Sequence, residues 1–450
     1  MPQTEIKKNL LSQTLWVSAI IIISLLLLAL LPETNIGPFQ LREIDILSDL
    51  HPDPPILKVI KVDSIPREKP IPTVTTQINI SITQIEDFSG DKKPLMHFIN
   101  ALKESDCRQV RVAFFGDSFI EGDIISATLR DTLQHVFGGS GVGLVPLATE
   151  VSGFRRSLKH THADWEILSL RTTPDTTIPM GISGYSYIPR IGNTVKYKPG
   201  LFPMQKDFKV VKVFYQNKGS ASLAYKINDE EEIMEAFDRS DSIKKLTVVH
   251  QAIKSIQFSI IPEDSVVFFG ASLENNTGLY IDNFSMRGNS GIVLAKLSPT
   301  LLKEFNEYLD YKLIILQYGL NVASENDSTD FTWYTNKMIK IITELKVIFP
   351  KTSFLLVSVS DRGVNKDGKI ITMKSIPRVR EIQREIAKKS GIAFWDMFEA
   401  MGGENSIAAY TESVPPLAAK DYTHLTHLGG EKIGKKLAAA LLEEFHKNEK

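Results

Sequence analysis

Two stretches at opposite ends of this 450-residue chain hold residues able to do covalent chemistry. In the first, residues 110–115 form a short apolar run broken only by Arg111, which reads as a buried strand of a parallel sheet. Gly116 ends the run, Asp117 and Ser118 fall on the turn, and residues 120–137 carry apolar residues at helical spacing. A serine on such a strand-to-helix turn points its hydroxyl into solvent at the carboxyl edge of the sheet. Backbone N–H groups at the helix start lie close by and can hold a developing oxyanion. The same residues also suit a plain helix N-cap, for which Asp and Ser are favoured. In the second stretch, Asp421 precedes His424 by three residues, just ahead of an amphipathic segment over 431–446. Serine is a poor nucleophile until a base takes its proton, and an imidazole needs an acceptor at its other nitrogen to fix the tautomer. One loop carrying Asp421 and His424 can supply both.

With Gly116-Asp117-Ser118 near the start of a domain and Asp421-x-x-His424 near its end, the chain resembles the SGNH (GDSL) hydrolase superfamily. The resemblance implies Ser118 as nucleophile, His424 as general base and Asp421 as the group that orients the imidazole. It also implies an oxyanion hole built from the Ser118 N–H, a glycine and an asparagine. The block Met286-Arg287-Gly288-Asn289-Ser290-Gly291 supplies the glycine, with Gly291 at the family position and Gly288 as second choice. The block Gln317-Tyr318-Gly319-Leu320-Asn321 supplies Asn321, and departs from the family where Val322 replaces an Asp. His427 is a rival base, to which family spacing assigns a structural or lining role. Asp421, His424 and His427 could also be read as metal ligands, but further ligands are not nearby in sequence. No metal or cofactor is expected.

Residues 394–403, 416–421 and 424–426 are similar to the carboxyl-terminal part of bacterial peptidoglycan O-acetylesterases, whose SGNH domain is interrupted by a β-sandwich. That likeness implies a serine esterase removing O-acetyl groups from a cell-envelope glycan, peptidoglycan or another polysaccharide, through an acyl-serine. Two alternatives stay open. One is an SGNH O-acetyltransferase passing acetyl to a glycan with a polytopic membrane acyltransferase as partner. The other is a non-catalytic glycan-binding relative.

The elements that must position these residues set the fold class: a three-layer α/β/α parallel sheet of SGNH type, an inserted all-β sandwich and an N-terminal transmembrane helix. Residues 15–31 are uncharged and almost wholly apolar, and at about 1.5 Å per residue they nearly match a bilayer core. Lys7 and Lys8 precede them, which puts residues 1–14 in the cytoplasm and the rest in the periplasm of a bacterium, anchored to the inner membrane. A cleaved signal peptide is the competing reading; a small-x-small cleavage site is lacking. Residues 32–92, with scattered prolines, read as a stalk, within which 73–85 alternates like an edge strand. The catalytic domain is expected over 93–145 and 285–450, beginning with a helix over 94–107.

Residues 146–284 hold short β-rich segments between turns and are expected to be the sandwich, a carbohydrate-binding-like module or a structural insert. Residues 278–284 are counted among its strands. The glycine-rich run 138–143 lacks the Gly-Lys-[Ser/Thr] ending of a phosphate loop and reads as a flexible turn near the mouth of the site. Apolar runs at 313–316, 353–359 and 392–395 alternate with helical patterns at 331–349 and 376–389, as a parallel sheet requires. Asp361, past the second run, either lines the site or serves a turn. Balanced charge, 52 basic against 53 acidic residues, gives no footprint for nucleic acid. Cys107, the sole cysteine, excludes an intrachain disulfide.

Overall fold

The computed structural model describes residues 16–18, 35–36, 39–40, 82–90, 95–173, 177–228, 230–262, 265–325 and 329–448. The chain divides into two units, Met1–Ile78 and Asn79–Lys450. In the first, residues 16–18 are helical and exposed, and Asn35–Ile36 pairs antiparallel with Phe39–Gln40. Among the described residues no helix is long and apolar enough to cross a membrane. Most of the expected span 15–31, and most of the stalk, lie outside the described residues.

The second unit begins with strand β1 (Ile85–Asp87), helix α1 (Met96–Leu102, shorter at both ends than expected), strand β2 (Gln109–Gly116) and helix α2 (Ser126–Phe137). A run of β-strands follows: β3 (Gly143–Val145), β4 (Leu158–Ser169), β5 (Tyr185–Pro199), β6 (Phe208–Asn217), β7 (Ala221–Ile227), β8 (Ile233–Ala236), β9 (Ser240–Ile253), β10 (Ile256–Pro262), β11 (Val266–Glu274) and β12 (Gly278–Ser285). The chain then alternates: α3 (Pro299–Leu309), β13 (Tyr311–Gln317), α4 (Thr332–Ile348), β14 (Ser353–Val357), hairpin β15 (Gly363–Lys366) and β16 (Lys369–Thr372), α5 (Ser375–Ser390), β17 (Ala393–Trp395). Helices α6 (Met397–Met401), α7 (Ser406–Glu412) and α8 (His427–Lys447) close it.

Six strands make one sheet in the order β12-β2-β13-β14-β17-β1. The first five run parallel, and β1 joins β17 antiparallel at the edge. Every residue of β13 and all but the first of β2 are buried, without alternation. Strands of that kind need cover on both faces, which the helices provide: α2 packs on α8, and α4 on α5 and α3. In register, Ser285 and Gln317 both lie opposite Gly116, and Val357 opposite Gln317, so the loops after β12, β2 and β13 leave from one edge.

Nine of the other strands, β3 to β11, differ from the pair of sheets that the expected sandwich implies. They are hydrogen-bonded into one antiparallel sheet, with β3 and β4 branching from the path β8-β7-β10-β5-β11-β6-β9. Its two halves meet through a single residue pair, Phe268 with Tyr187, and contribute to one apolar core. Strand β12, expected in the insert, instead pairs along its whole length with β2 as an edge of the parallel sheet, while β3, expected outside the insert, pairs with β11. Composition could not separate these memberships, because buried strands of either sheet favour the same β-branched and aromatic residues.

The glycine-rich run is also placed otherwise than expected. A Cβ on Gly139 would lie 2.7 Å from the Leu279 carbonyl, at the amino end of β12 and hence away from the carboxyl edge. It is a tight crossing, not a turn at the site.

Candidate active site

Ser118 stands two residues past the end of β2, where the chain makes a short 3-10 turn, Ser118–Asp123, before α2. Glu121 is extended and Gly122 left-handed (φ 63°), which interrupts the helix expected from residue 120. Asp117 caps this turn, its Oδ1 accepting from the Phe119 N–H at 2.9 Å. Capping therefore falls to Asp117, and the Ser118 hydroxyl turns to His424, whose Nε2 is 2.9 Å away.

His424 is held by a loop that folds back on itself. The Ala419 N–H donates to the His424 carbonyl at 2.8 Å, and the Thr426 N–H to that of Leu417 at 2.9 Å. Asp421 Oδ1 accepts from the N–H groups of Thr423 and His424, both at 3.0 Å, while Oδ2 meets His424 Nδ1 at 2.7 Å. Burial alone would raise the Asp421 pKa; the hydrogen bonds from the His424 ring and the two backbone N–H groups outweigh it and hold the carboxyl below its ordinary value. A carboxylate on Nδ1–H leaves Nε2 as the acceptor for a serine proton.

Helix α8 brings this loop to Ser118. A Cβ on Gly430 would lie 2.2 Å from the Ile124 carbonyl, and one on Gly434 2.7 Å from that of Ile125. Two glycines four residues apart thus let α8 touch the backbone just past the Ser118 turn. The spacing is visible in the sequence, but its partner is not.

The expected oxyanion donors are arranged less simply. The Ser118 N–H has no partner among the described residues. The Gly291 N–H, expected in the hole, is instead taken up by Asn289 Oδ1 at 2.8 Å, and Gly291 itself is buried against Tyr318 and Met338. The reason is local: an Asn side chain readily bonds the backbone N–H two residues on. Gly288, the second choice, is exposed and left-handed (φ 69°), with no partner for its N–H among the described residues. The Asn321 amide bonds Asp117 Oδ2 and the Asn289 carbonyl, each at 3.0 Å. Asn289, 3% exposed, thus touches both expected donors, a role that sequence reading missed.

Of the other candidates, His427 stacks on Phe154, ring centroids 4.5 Å apart, with its pKa lowered by burial and by Arg156. Among the described residues no three His, Cys, Asp or Glu side chains are grouped to hold a metal. Asp361 does not line the site. It is buried, accepting from the Ile407 N–H at 2.9 Å and the Thr372 hydroxyl at 2.8 Å, and so ties α7 to β16.

Ser118 and His424 open into a cleft of about 590 Å³, walled by Glu121, Phe154, Arg287 and Leu425. Phe154 comes from the segment leading into β4, so the insert contributes to the cleft. Gly122 makes room for it, since a Cβ there would fall 2.3 Å from the Phe154 ring.

No family model matches the sequence, and no curated protein matches it. A solved structure of a peptidoglycan O-acetylesterase is similar at TM-score 0.65 and 19% identity, over 81% of this chain and 99% of that one. A family two carbohydrate esterase from Cellvibrio japonicus (TM-score 0.27, 10% identity, 64% of this chain and 99% of that one) and an acetyl xylan esterase (0.26, 17%, 36% and 81%) are similar only in part and carry no weight. The first likeness shows a shared fold, in agreement with the SGNH resemblance of the sequence.

Proposed function

We propose that the chain is a serine esterase that removes O-acetyl groups from a cell-envelope glycan. The observation that carries this is the unbroken chain Ser118 Oγ, His424 Nε2, His424 Nδ1, Asp421 Oδ2, with steps of 2.9 and 2.7 Å at the carboxyl edge of the sheet. His424 takes the Ser118 proton as Oγ attacks the ester carbonyl, and the Asp421 carboxylate stabilises the imidazolium that forms. The carbonyl oxygen becomes negative facing the Ser118 N–H. Asn321 and Gly291 are the further donors that the SGNH resemblance implies, each such donor contributing about 3–4 kcal/mol to the transition state. As the bond to the sugar oxygen breaks, His424 gives it the proton taken from Ser118, and the sugar leaves as its free hydroxyl. Water, deprotonated by His424, attacks the acyl-serine and releases acetate. The choice of an acetylated glycan rests on the sequence resemblance and on the shared fold.

The test is acetate release from O-acetylated peptidoglycan by the full chain. Ser118→Ala and His424→Ala are each expected to lower kcat by at least about a thousandfold, and the double variant to be hardly worse than either, because triad members act as a unit. Near-normal release by Ser118→Ala would overturn the reading. We further propose, from sequence, that residues 15–31 anchor the protein in the inner membrane with the catalytic unit in the periplasm. Extraction from membranes should then require detergent, and a mature N-terminus past residue 31 in a freely soluble protein would refute the anchor.

A further inference from the structure

Beside the Ser118 cleft lies a second cavity of about 650 Å³, within the range of roughly 300–1,000 Å³ typical of small-ligand sites. Glu121, Glu150, Val151 and Arg287 line both, so the two spaces share a wall. That wall is held by Arg287, which donates to Glu121 through Nε at 3.1 Å and also through Nη2. The floor of the second cavity is one face of the β4–β5 hairpin. Ile167 pairs across the ladder with Tyr187, and Ser169 with Tyr185, so two phenols, a hydroxyl and an apolar chain stand side by side. The carboxyl end of β12 and the loop after it, which carries the glycine block, close the opposite side.

Most polar side chains of this cavity are paired, among them Glu121 with Arg287 and Ser169 with Thr172, but its two phenol hydroxyls are not. Tyr187, though 2% exposed as a residue, lines the cavity, and its hydroxyl bonds nothing among the described residues. The Tyr185 hydroxyl is likewise unbonded among the described residues. Its pKa is raised by burial and by the charges of Glu121 and Glu150, with Arg171 and Arg287 acting the other way, so four charged groups surround this one phenol. The lining carries Glu121 and Glu150 against Arg155, Arg171 and Arg287, and Arg155 is paired with buried Asp123, so the remaining charges balance, which favours a neutral ligand over an anion. Aromatic faces, idle hydroxyls and fork-shaped charged side chains together fit a ligand dense in hydroxyl groups.

We propose that this cavity holds the sugar unit adjoining the acyl-bearing one, so that the enzyme takes its glycan as an oligosaccharide running past Glu121 and Arg287. The proposal rests on the esterase reading of Ser118 and adds a subsite to it. The insert then sets substrate length: β4 and β5 bind the neighbouring sugar while Ser118 meets the ester.

The experiment compares kcat/KM of the full chain on the O-acetylated disaccharide of peptidoglycan with that on the O-acetylated monosaccharide, and measures binding of the de-acetylated disaccharide by calorimetry. Wild type should prefer the disaccharide. Tyr187→Phe and Tyr185→Phe, which remove only a hydroxyl, should each reduce that preference about fivefold, the size of one neutral hydrogen bond, and weaken calorimetric binding to match. An unchanged preference and unchanged binding in both variants would overturn the subsite. If wild type releases no acetate from either sugar, the esterase reading falls, and binding decides the subsite alone: weakened binding in the variants sustains it, and absent or unaltered binding refutes it.

Discussion

Asp117 holds the Ser118 turn through one carboxylate oxygen and Asn321 through the other, from a wholly buried position. Burial pushes its pKa up to about 6, against the pull of the Phe119 N–H and the Asn321 amide. Its folded pKa thus lies above the unfolded value, so ionising it costs stability. Stability attributable to this group is greatest below the ordinary carboxyl pKa and falls as pH rises through about 6. Asp117→Asn should remove that dependence. The stability of the variant relative to wild type, from urea unfolding, is expected to rise by on the order of 3 kcal/mol between pH 4 and 7. A constant difference across that window would show that Asp117 does not titrate in this way. Sequence placed Asp117 on the turn but left it sharing a cap with Ser118. Only the approach of His424, 306 positions away, divides their tasks.

At the scale of elements, the segment between β3 and β4 is fastened beneath the cleft by Asp123. This buried carboxylate accepts from Arg130 of α2 at 2.8 and 3.0 Å, lies 3.4 Å from Arg155, and is bonded by Ser157. Burial would raise its pKa, but Arg130 and Arg155 outweigh it and hold the carboxyl well below the usual range. Its contribution is therefore present above the unfolded pKa and lost as pH falls through the folded one. Asp123→Ala leaves two arginines uncompensated and should cost about 3–5 kcal/mol in denaturant unfolding at pH 7. A loss below about 1 kcal/mol would mean the arginines find other partners. Residues 120–137 showed the right helical spacing. The break at Gly122 and Asp123, both at positive φ, follows from the room Phe154 needs and was not legible locally.

Across the whole molecule, a second buried charge cluster joins the two sheets. Arg111 of β2 bonds Asp282 of β12 at 2.8 Å and also Glu274 of β11, which Lys212 of β6 bonds in turn. Tyr311, at the start of β13, donates to Asp282 at 2.6 Å. Arg111→Met should destabilise the protein by about 3–5 kcal/mol, whereas replacing Arg111, Glu274 and Asp282 together by apolar residues of similar volume should recover much of that loss. Equal instability of the single and triple variants in denaturant unfolding would argue against charge burial as the cause. In sequence, Arg111 was only an interruption of an apolar run. What the sequence determined by itself was local: the strand ending in Gly116, Ser118 on its turn, and Asp421 three residues before His424, because hydrophobic period and turn chemistry act within a few residues. The tertiary structure alone decided that β12 is an edge of the parallel sheet, that Asn289 takes the Gly291 N–H, and that Tyr185 and Tyr187 line one cavity beside the cleft. Each of these depends on which distant backbone packs alongside, and strand partners are chosen by long-range register and burial that no short window of residues contains.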